Sequence, residues 1–562
     1  MGTDVSLSID ELKAKLSNGL ITVEFDENAM VTSLIKNNME LVTNLNGSER
    51  DPDRKHTFYV DYHAEGKFHN ISVAKLDVIK NTPEEAHIQY VDNTGLLYVE
   101  YHIILKRGES GLYSYVVARN NLQKEFKLSE FRTVYRLNSK LFEYAYNSER
   151  IGKQPTCEYL SKFPKIQDET YELPDGELYT NGKVYSKYDY AGYYRDNPFW
   201  GQFGNGFGFW FIPVSTEYYP SGPLKQELLV HYDAIILNYM TGAHFGTGDF
   251  YVPPQWEKLY GPWYVYVNTG EDEVVLRDAA KQAKLEESKW PYQWMTERLY
   301  PTKRATVTGK LSISHNRSSE GAMIVLAQPG GDFIRQKSDY IYYTQADTNG
   351  EFTLPHVRPG NYTLYAYATK GDITDEYFHD GIVVGKGNVE LGTIQWEPPF
   401  RTKVWQIGQA DRTAADYKFG GKLRNYKWHC MVPENVEYMI GTSKEKEDWY
   451  YAQTKPGCWN IRFSLDDSAK RYYLTIAIAS ATKGKIDGNE DLGLTIKVNG
   501  TSIKTLTYPS DTTIYRSATQ SGWYHQEKIE LGSKELVNGD NVITLQNNNS
   551  AIMYDTILLE CD

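Results

Sequence analysis

Short runs of alternating apolar and polar residues recur along the whole chain, and they limit its possible folds more than any other feature. Leu20-Ile21-Thr22-Val23-Glu24-Phe25, Leu97-Tyr98-Val99-Glu100-Tyr101-His102-Ile103-Ile104-Leu105 and Tyr113-Ser114-Tyr115-Val116-Val117-Ala118 are three of them. Side chains on extended backbone point alternately to opposite faces, so a period of two buries one face and wets the other. Helical periodicity is scarce: Ile9 to Leu16 near the start and Glu273 to Trp290 are the two candidates. Many strands with few helices predict an all-β chain whose first part, residues 1–303, is a large β-sandwich. Pro301 to Arg304 reads as a short linker. Residues 304–398 then read as a small sandwich of immunoglobulin-like size, with strands at Ala305 to Leu311 and Tyr362 to Tyr367. Asp347-Thr348-Asn349-Gly350 is a hairpin signal there, and Pro359-Gly360 a second turn. Residues 399–562, beyond Pro398-Pro399, read as a β jelly roll with hairpin signals at Val498-Asn499-Gly500 and Val537-Asn538-Gly539.

Charge and composition exclude several classes. The formal net charge is −13, which repels nucleic acid and requires a local basic cluster for any polyanionic substrate. Tyr occurs 46 times; it suits strands, and its flat face with a polar tip also suits sugar rings. Cys157, Cys430, Cys458 and Cys561 have no paired zinc spacing, although Cys430 with Cys458 could bridge in an oxidising compartment. No apolar stretch is long enough to span a membrane. The start, Met1-Gly2-Thr3-Asp4, lacks a basic-then-apolar leader, so a secreted, periplasmic or cell-surface protein with its signal peptide removed is expected, acting as a monomer. There is no Gly-x-Ser-x-Gly elbow, Walker loop or His-Glu-x-x-His helix.

The chemistry is most legible between residues 180 and 270. Gly182-Lys183-Val184-Tyr185-Ser186-Lys187-Tyr188-Asp189-Tyr190 is followed by Gly206-Phe207-Gly208-Phe209-Trp210-Phe211-Ile212-Pro213 and by Ser221-Gly222-Pro223-Leu224-Lys225-Gln226-Glu227. Leu237-Asn238-Tyr239-Met240-Thr241-Gly242-Ala243-His244-Phe245 and Tyr260-Gly261-Pro262-Trp263-Tyr264 close the segment. Further along stand Trp405-Gln406-Ile407-Gly408, Asp411-Arg412-Thr413-Ala414-Ala415 and Glu447-Asp448-Trp449-Tyr450-Tyr451-Ala452-Gln453. This ordered set resembles the polysaccharide lyase family 4 rhamnogalacturonan endolyases. The resemblance implies a galactose-mutarotase-like catalytic β-sandwich, a fibronectin-III-like domain and a carbohydrate-binding-like jelly roll. It further implies rhamnogalacturonan I, a pectic polysaccharide, as substrate, no catalytic cofactor, and a catalytic Lys and His at the matching positions Lys187 and His244.

The residue types suit that chemistry. Elimination at a galacturonate begins with loss of the C5 proton beside a carboxylate, so it needs a base at C5, an acid at the leaving oxygen and cations for the growing charge. Lys187 is expected as base and His244 as acid, with the swapped roles open; His231, in Leu-Val-His-Tyr, reads as a strand residue. Arg150 is the candidate carboxylate partner, with Arg132, Arg136 and Arg195 as rivals. Tyr188 and Tyr239 are candidate sugar contacts, against the plainer reading of packed strand tyrosines. Asp555, in Met553-Tyr554-Asp555-Thr556-Ile557, is a candidate ligand of a structural calcium or, more plainly, a buried strand-end acid. Asp189, Glu227 and Asp233 leave a glycoside hydrolase open on composition, and a non-catalytic sugar-binding protein is the other alternative.

Overall fold

In the first unit the alternation resolves into two cores sharing one sheet. A computed structural model of the chain describes residues 3–42, 57–174, 179, 183–242, 244–483 and 492–562. Its widest sheet is antiparallel and nine-stranded, in the order Arg150–Lys153, Tyr144–Asn147, Trp200–Gly204, Phe207–Ile212, Glu257–Thr269, Gly111–Asn120, Leu97–Lys106, Glu85–Asp92 and Lys75–Asn81. Val99, Tyr101 and Ile103 enter one core, while Ile104 enters the other. The first core is shared with a six-stranded sheet built round Phe126–Arg136 and Ile235–Thr241, and with an N-terminal five-stranded meander. Trp263 Nε1 crosses it to donate to the Tyr135 hydroxyl at 2.8 Å. The second core lies under the helix Asp272–Lys289, which contributes Val275, Ala279 and Ala283. Burial on both faces is why Leu97 to Leu105, alternating at Val99-Glu100-Tyr101-His102, turns wholly apolar at Ile103-Ile104-Leu105.

The helix expected over Glu273 to Trp290 is present, but Ile9 to Leu16 is not helical. Ser6–Asp10 and Lys13–Ser17 pair as an antiparallel hairpin, with Ile9 opposite Ala14. Ala14 and Leu16 are buried while Lys13 and Lys15 face solvent. That period of two, completed by the neighbouring strand Thr22–Phe25, outweighs the modest helix propensity of Lys, Ala and Leu.

The second unit stacks a three-stranded sheet on a four-stranded one, and the third stacks two five-stranded sheets, so the all-β expectation holds throughout. Val498-Asn499-Gly500 is a two-residue hairpin, with Val498 opposite Thr501 and both turn residues in the left-handed region. Asp347 to Gly350 is a turn but not a hairpin: the strands on either side, Tyr342–Gln345 and Glu351–Val357, belong to different sheets. Val537 to Gly539 likewise leads into Gly539–Asn547, which does not pair with the preceding strand His525–Leu531. Turn chemistry reverses the chain locally; which sheet each arm joins depends on distant partners. All four cysteines are free. No described helix is long and apolar enough to cross a membrane.

The short segment before the second unit is docked by charge. Glu217 is buried and receives Arg304 Nη1 at 2.6 Å on one oxygen and Arg358 Nε and Nη2 at 3.0 and 2.8 Å on the other. The Tyr342 hydroxyl adds a bond at 2.8 Å. Burial works against the carboxylate, but the two guanidinium groups hold its pKa down to about 2. Glu217→Ala leaves two buried cations unopposed, so chemical denaturation should show a loss of about 3–5 kcal/mol. A loss below about 1 kcal/mol, the range of a surface pair, would mean that apolar packing alone holds this seam.

Candidate active site

A short turn sets the first group. The strand Val184–Ser186 ends at Ser186, whose Oγ accepts the Tyr188 amide at 3.3 Å and starts the 3-10 turn Lys187–Tyr190. Tyr188 and Asp189 turn inward while Lys187 stays half-buried. The Tyr188 ring is then the shared neighbour of three other groups. Lys187 Nζ lies 5.0 Å from its centroid, the Arg516 guanidinium 5.2 Å and the His244 ring 5.7 Å. Its hydroxyl donates to Asp168. Burial lowers the Lys187 pKa most; Asp168 and Glu169 oppose this, and Arg516 and Arg132 reinforce it. Among the described residues no carboxylate pairs with Nζ within 4.0 Å, so the amine is neither tied nor fully solvated.

His244 is fixed from the opposite side. It follows the strand Ile235–Thr241, and its Nδ1 lies 2.7 Å from Glu227 Oε1. An ionised carboxylate only accepts, so Nδ1 carries the proton and Nε2 is the outward atom. Glu227 is completely buried on the strand Gln226–Leu228, where it sits opposite Gly192. Its other oxygen meets Lys225 Nζ at 3.4 Å. Burial alone would neutralise Glu227, but the charges of His244 and Lys225 hold its pKa down to about 2. The Tyr239 ring stands edge-on to His244 at 5.0 Å, and Arg132 Nη1 donates to its hydroxyl at 3.0 Å.

Lys187, Tyr188, Tyr239 and His244 therefore come together as a set. Gly182 and Ala243, within the two motif segments, lie outside the described residues. Arg150 does not join the set. It sits over the Tyr190 ring at 5.0 Å and donates to the Arg424 carbonyl of the third unit. Its former rival Arg132 is closer to the cluster but fully engaged, with Asp61 at 2.8 and 3.0 Å and Glu130 at 3.0 Å. His231 bonds the Tyr232 carbonyl through Nδ1 at 3.0 Å, and burial with the nearby Lys187 charge keeps its pKa well below the usual value.

Asp555 accepts the amides of Asp411 and Arg412 at 3.1 and 2.8 Å, the plainer of its two expected roles. Its other oxygen has no hydrogen-bond partner among the described residues, and burial followed by the Asp411 charge pushes its pKa well up. The carboxylates held open for hydrolysis are also occupied: Asp189 accepts the Tyr426 amide at 2.9 Å, and Asp233 accepts the Cys157 amide at 3.0 Å.

Arg516 is the residue that sequence reasoning missed. It comes from the third unit, where its Nη2 reaches Asp168 at 3.3 Å and its buried Nε has no partner among the described residues. Thr512 Oγ1 donates to the His244 carbonyl at 3.2 Å, and the Tyr193 hydroxyl meets Ser521 at 2.6 Å. The third unit is thus a wall of the cluster, not a detached appendage. No local signal marks Arg516, because its partner Asp168 is 348 residues away in the chain.

Comparison with known proteins bears on all three units. Residues 2–162 match the model described as the rhamnogalacturonate lyase family, residues 305–390 that of polysaccharide lyase family 4, domain II, and residues 403–559 that of domain III. A rhamnogalacturonate lyase of Dickeya dadantii is 42% identical over 557 residues, 99% of this chain and 94% of that protein. A probable rhamnogalacturonate lyase B of Aspergillus niger is 26% identical, covering 83% of this chain and 75% of its own. Rhamnogalacturonate lyase B of Emericella nidulans is also 26% identical, covering 71% and 68%.

The His244–Glu227–Lys225 chain makes a pH prediction. The folded pKa of Glu227, about 2, lies below its ordinary 4.5. Its stabilisation is therefore complete above about pH 4.5 and lost as pH falls towards 2. Glu227→Gln should melt earlier at neutral pH, by about 3–5 kcal/mol, and lose less further stability than the parent across that acid window. Thermal melts that coincide with the parent at every pH would remove Glu227 from this role.

Proposed function

The chain belongs to the rhamnogalacturonate lyase family, and from that premise we propose that it cleaves the rhamnose–galacturonate backbone of rhamnogalacturonan I by β-elimination. Lys187, as the neutral amine, takes the proton from C5 of the galacturonate. The C5–H electron pair becomes the C4=C5 double bond, the bond from C4 to O4 breaks, and protonated His244 gives O4 its proton through Nε2. The products are an unsaturated uronate end and a free hydroxyl on the leaving sugar. The observation that carries this reading is the untethered, desolvated Lys187 amine, sharing the Tyr188 ring with a histidine whose other nitrogen is held by a buried carboxylate.

Roles for the remaining groups follow. Arg516 is the better cation for the substrate carboxylate, because among the described residues its guanidinium meets one carboxylate, Asp168 at 3.3 Å, while Arg132 is saturated by Asp61, Glu130 and Tyr239. Tyr188 and Tyr239 shape the floor between base and acid. A polymeric substrate of this kind fits a protein acting outside the cell.

Incubation with rhamnogalacturonan I should raise absorbance at the short end of the ultraviolet, where an unsaturated uronate absorbs. New reducing ends without that absorbance would mean hydrolysis. Lys187→Ala and His244→Ala should each lower kcat by about 10²- to 10⁴-fold, with His231→Ala far milder. If His231→Ala abolishes turnover in a folded protein while His244→Ala does not, the acid is misassigned. Arg516→Ala provides a second readout. Removing a nearby cation lets the Lys187 pKa rise, so the rising limb of the pH–rate profile should move to higher pH while KM increases. A limb that stays in place would separate Arg516 from the base.

A further inference from the structure

We propose that Glu100, His102 and Glu297 form a binding site for one divalent transition-metal ion of the zinc class, on the helix-side face of the nine-stranded sheet. It shares no residue with the cluster around Lys187. The ligand atoms of the three side chains lie within 4.8 Å of one another, the one such trio of His, Cys, Asp or Glu groups among the described residues. His102 is 3% exposed, and its Nε2 has no hydrogen-bond partner among the described residues. That nitrogen faces Glu100 Oε2 at 3.8 Å, too far for a hydrogen bond. It is, however, a normal separation for two ligands of one ion, since zinc–ligand bonds of about 2.0–2.2 Å allow up to about 4.4 Å between them. Glu297, half-buried on the segment after the helix, has an oxygen within the same 4.8 Å and would reach the ion by turning its side chain.

The surroundings orient these groups as ligands. His102 Nδ1 lies 2.9 Å from His87 Nε2, and the His102 ring stacks on Tyr115 at 4.0 Å. If Nδ1 donates to His87, the Nε2 lone pair points at the two carboxylates, an arrangement that a cation stabilises and an empty gap does not. A second ring nitrogen bonded outward in this way is how metal-bound histidines are commonly held. Glu100 is held similarly: its Oε1 accepts from the Tyr98 hydroxyl at 2.8 Å and from Arg119 at 3.2 Å, leaving Oε2 for the ion. Next to Glu297, Arg298 forks onto Glu257 at 2.9 and 2.6 Å and brings this segment against the sheet. An ion here would clamp the segment leading into the second unit onto the strand Leu97–Lys106.

The test uses the full chain, stripped with a chelator and titrated with Zn²⁺ alone by calorimetry and thermal melting. One equivalent should bind and raise Tm, and Co²⁺ in its place should give the visible band of a low-coordinate nitrogen–oxygen site. Glu297→Gln, a change on a half-exposed loop that leaves the core intact, should weaken binding by at least about tenfold, since even outer-shell changes cost that much. His102→Gln should abolish it. The proposal fails if the parent takes up no stoichiometric Zn²⁺, or if Glu297→Gln and Glu100→Gln bind it as tightly as the parent does.

Discussion

Glu227 is buried completely between a lysine and a histidine, and the setting of the His244 ring depends on that charge staying ionised. A carboxylate removed from water either finds opposite charge or takes up a proton. Here Lys225 and His244 supply the charge, one on each oxygen. The strand carrying Glu227 pairs with Ala191–Tyr193, which directly continues the turn holding Lys187. One strand pairing thus sets the spacing between the proposed base and the partner of the proposed acid. Displacing Glu227 would release the His244 ring and strand Lys225 as a buried, unanswered cation.

The same logic joins the units. Glu217 accepts two guanidinium groups at the seam with the second unit. Asp168 accepts Arg516 at the seam with the third. Gln226, next to Glu227, bonds the Ser521 carbonyl and receives Arg424. These seams are polar and specific, and so they fix orientation; apolar contact alone is non-directional. In consequence a module that reads as an accessory sugar binder also walls the proposed active site.

The tyrosine excess has a structural explanation for much of its extent. Tyr62, Tyr90, Tyr101, Tyr113, Tyr135, Tyr185 and Tyr188 are among the largest fully buried side chains. Some have hydroxyls that cross-link layers, as Tyr135 does with Trp263, while Tyr90, Tyr101 and Tyr260 bury theirs without a partner among the described residues. Strand packing, more than sugar contact, absorbs these residues. Tyr188 and Tyr239 differ because their rings border Lys187, His244 and Arg132.

The sequence by itself determined the all-β class, the helix over Asp272–Lys289 and the Asn499-Gly500 hairpin, and it singled out Lys187, Tyr188, Tyr239 and His244, which the fold brings together. Each of these rests on local information: a period, a turn that needs left-handed backbone, or a short ordered motif. The tertiary structure alone decided that Ile9 to Leu16 pairs as strands, that Asp347 to Gly350 joins two different sheets, and that Arg150 faces Arg424. It alone brought Arg516 to Asp168 and enclosed Glu227 between Lys225 and His244. The physical reason is range. Propensity and alternation act between neighbours in the chain, whereas burial and charge compensation act between neighbours in space, and a sequence pattern does not record which distant residue will arrive there.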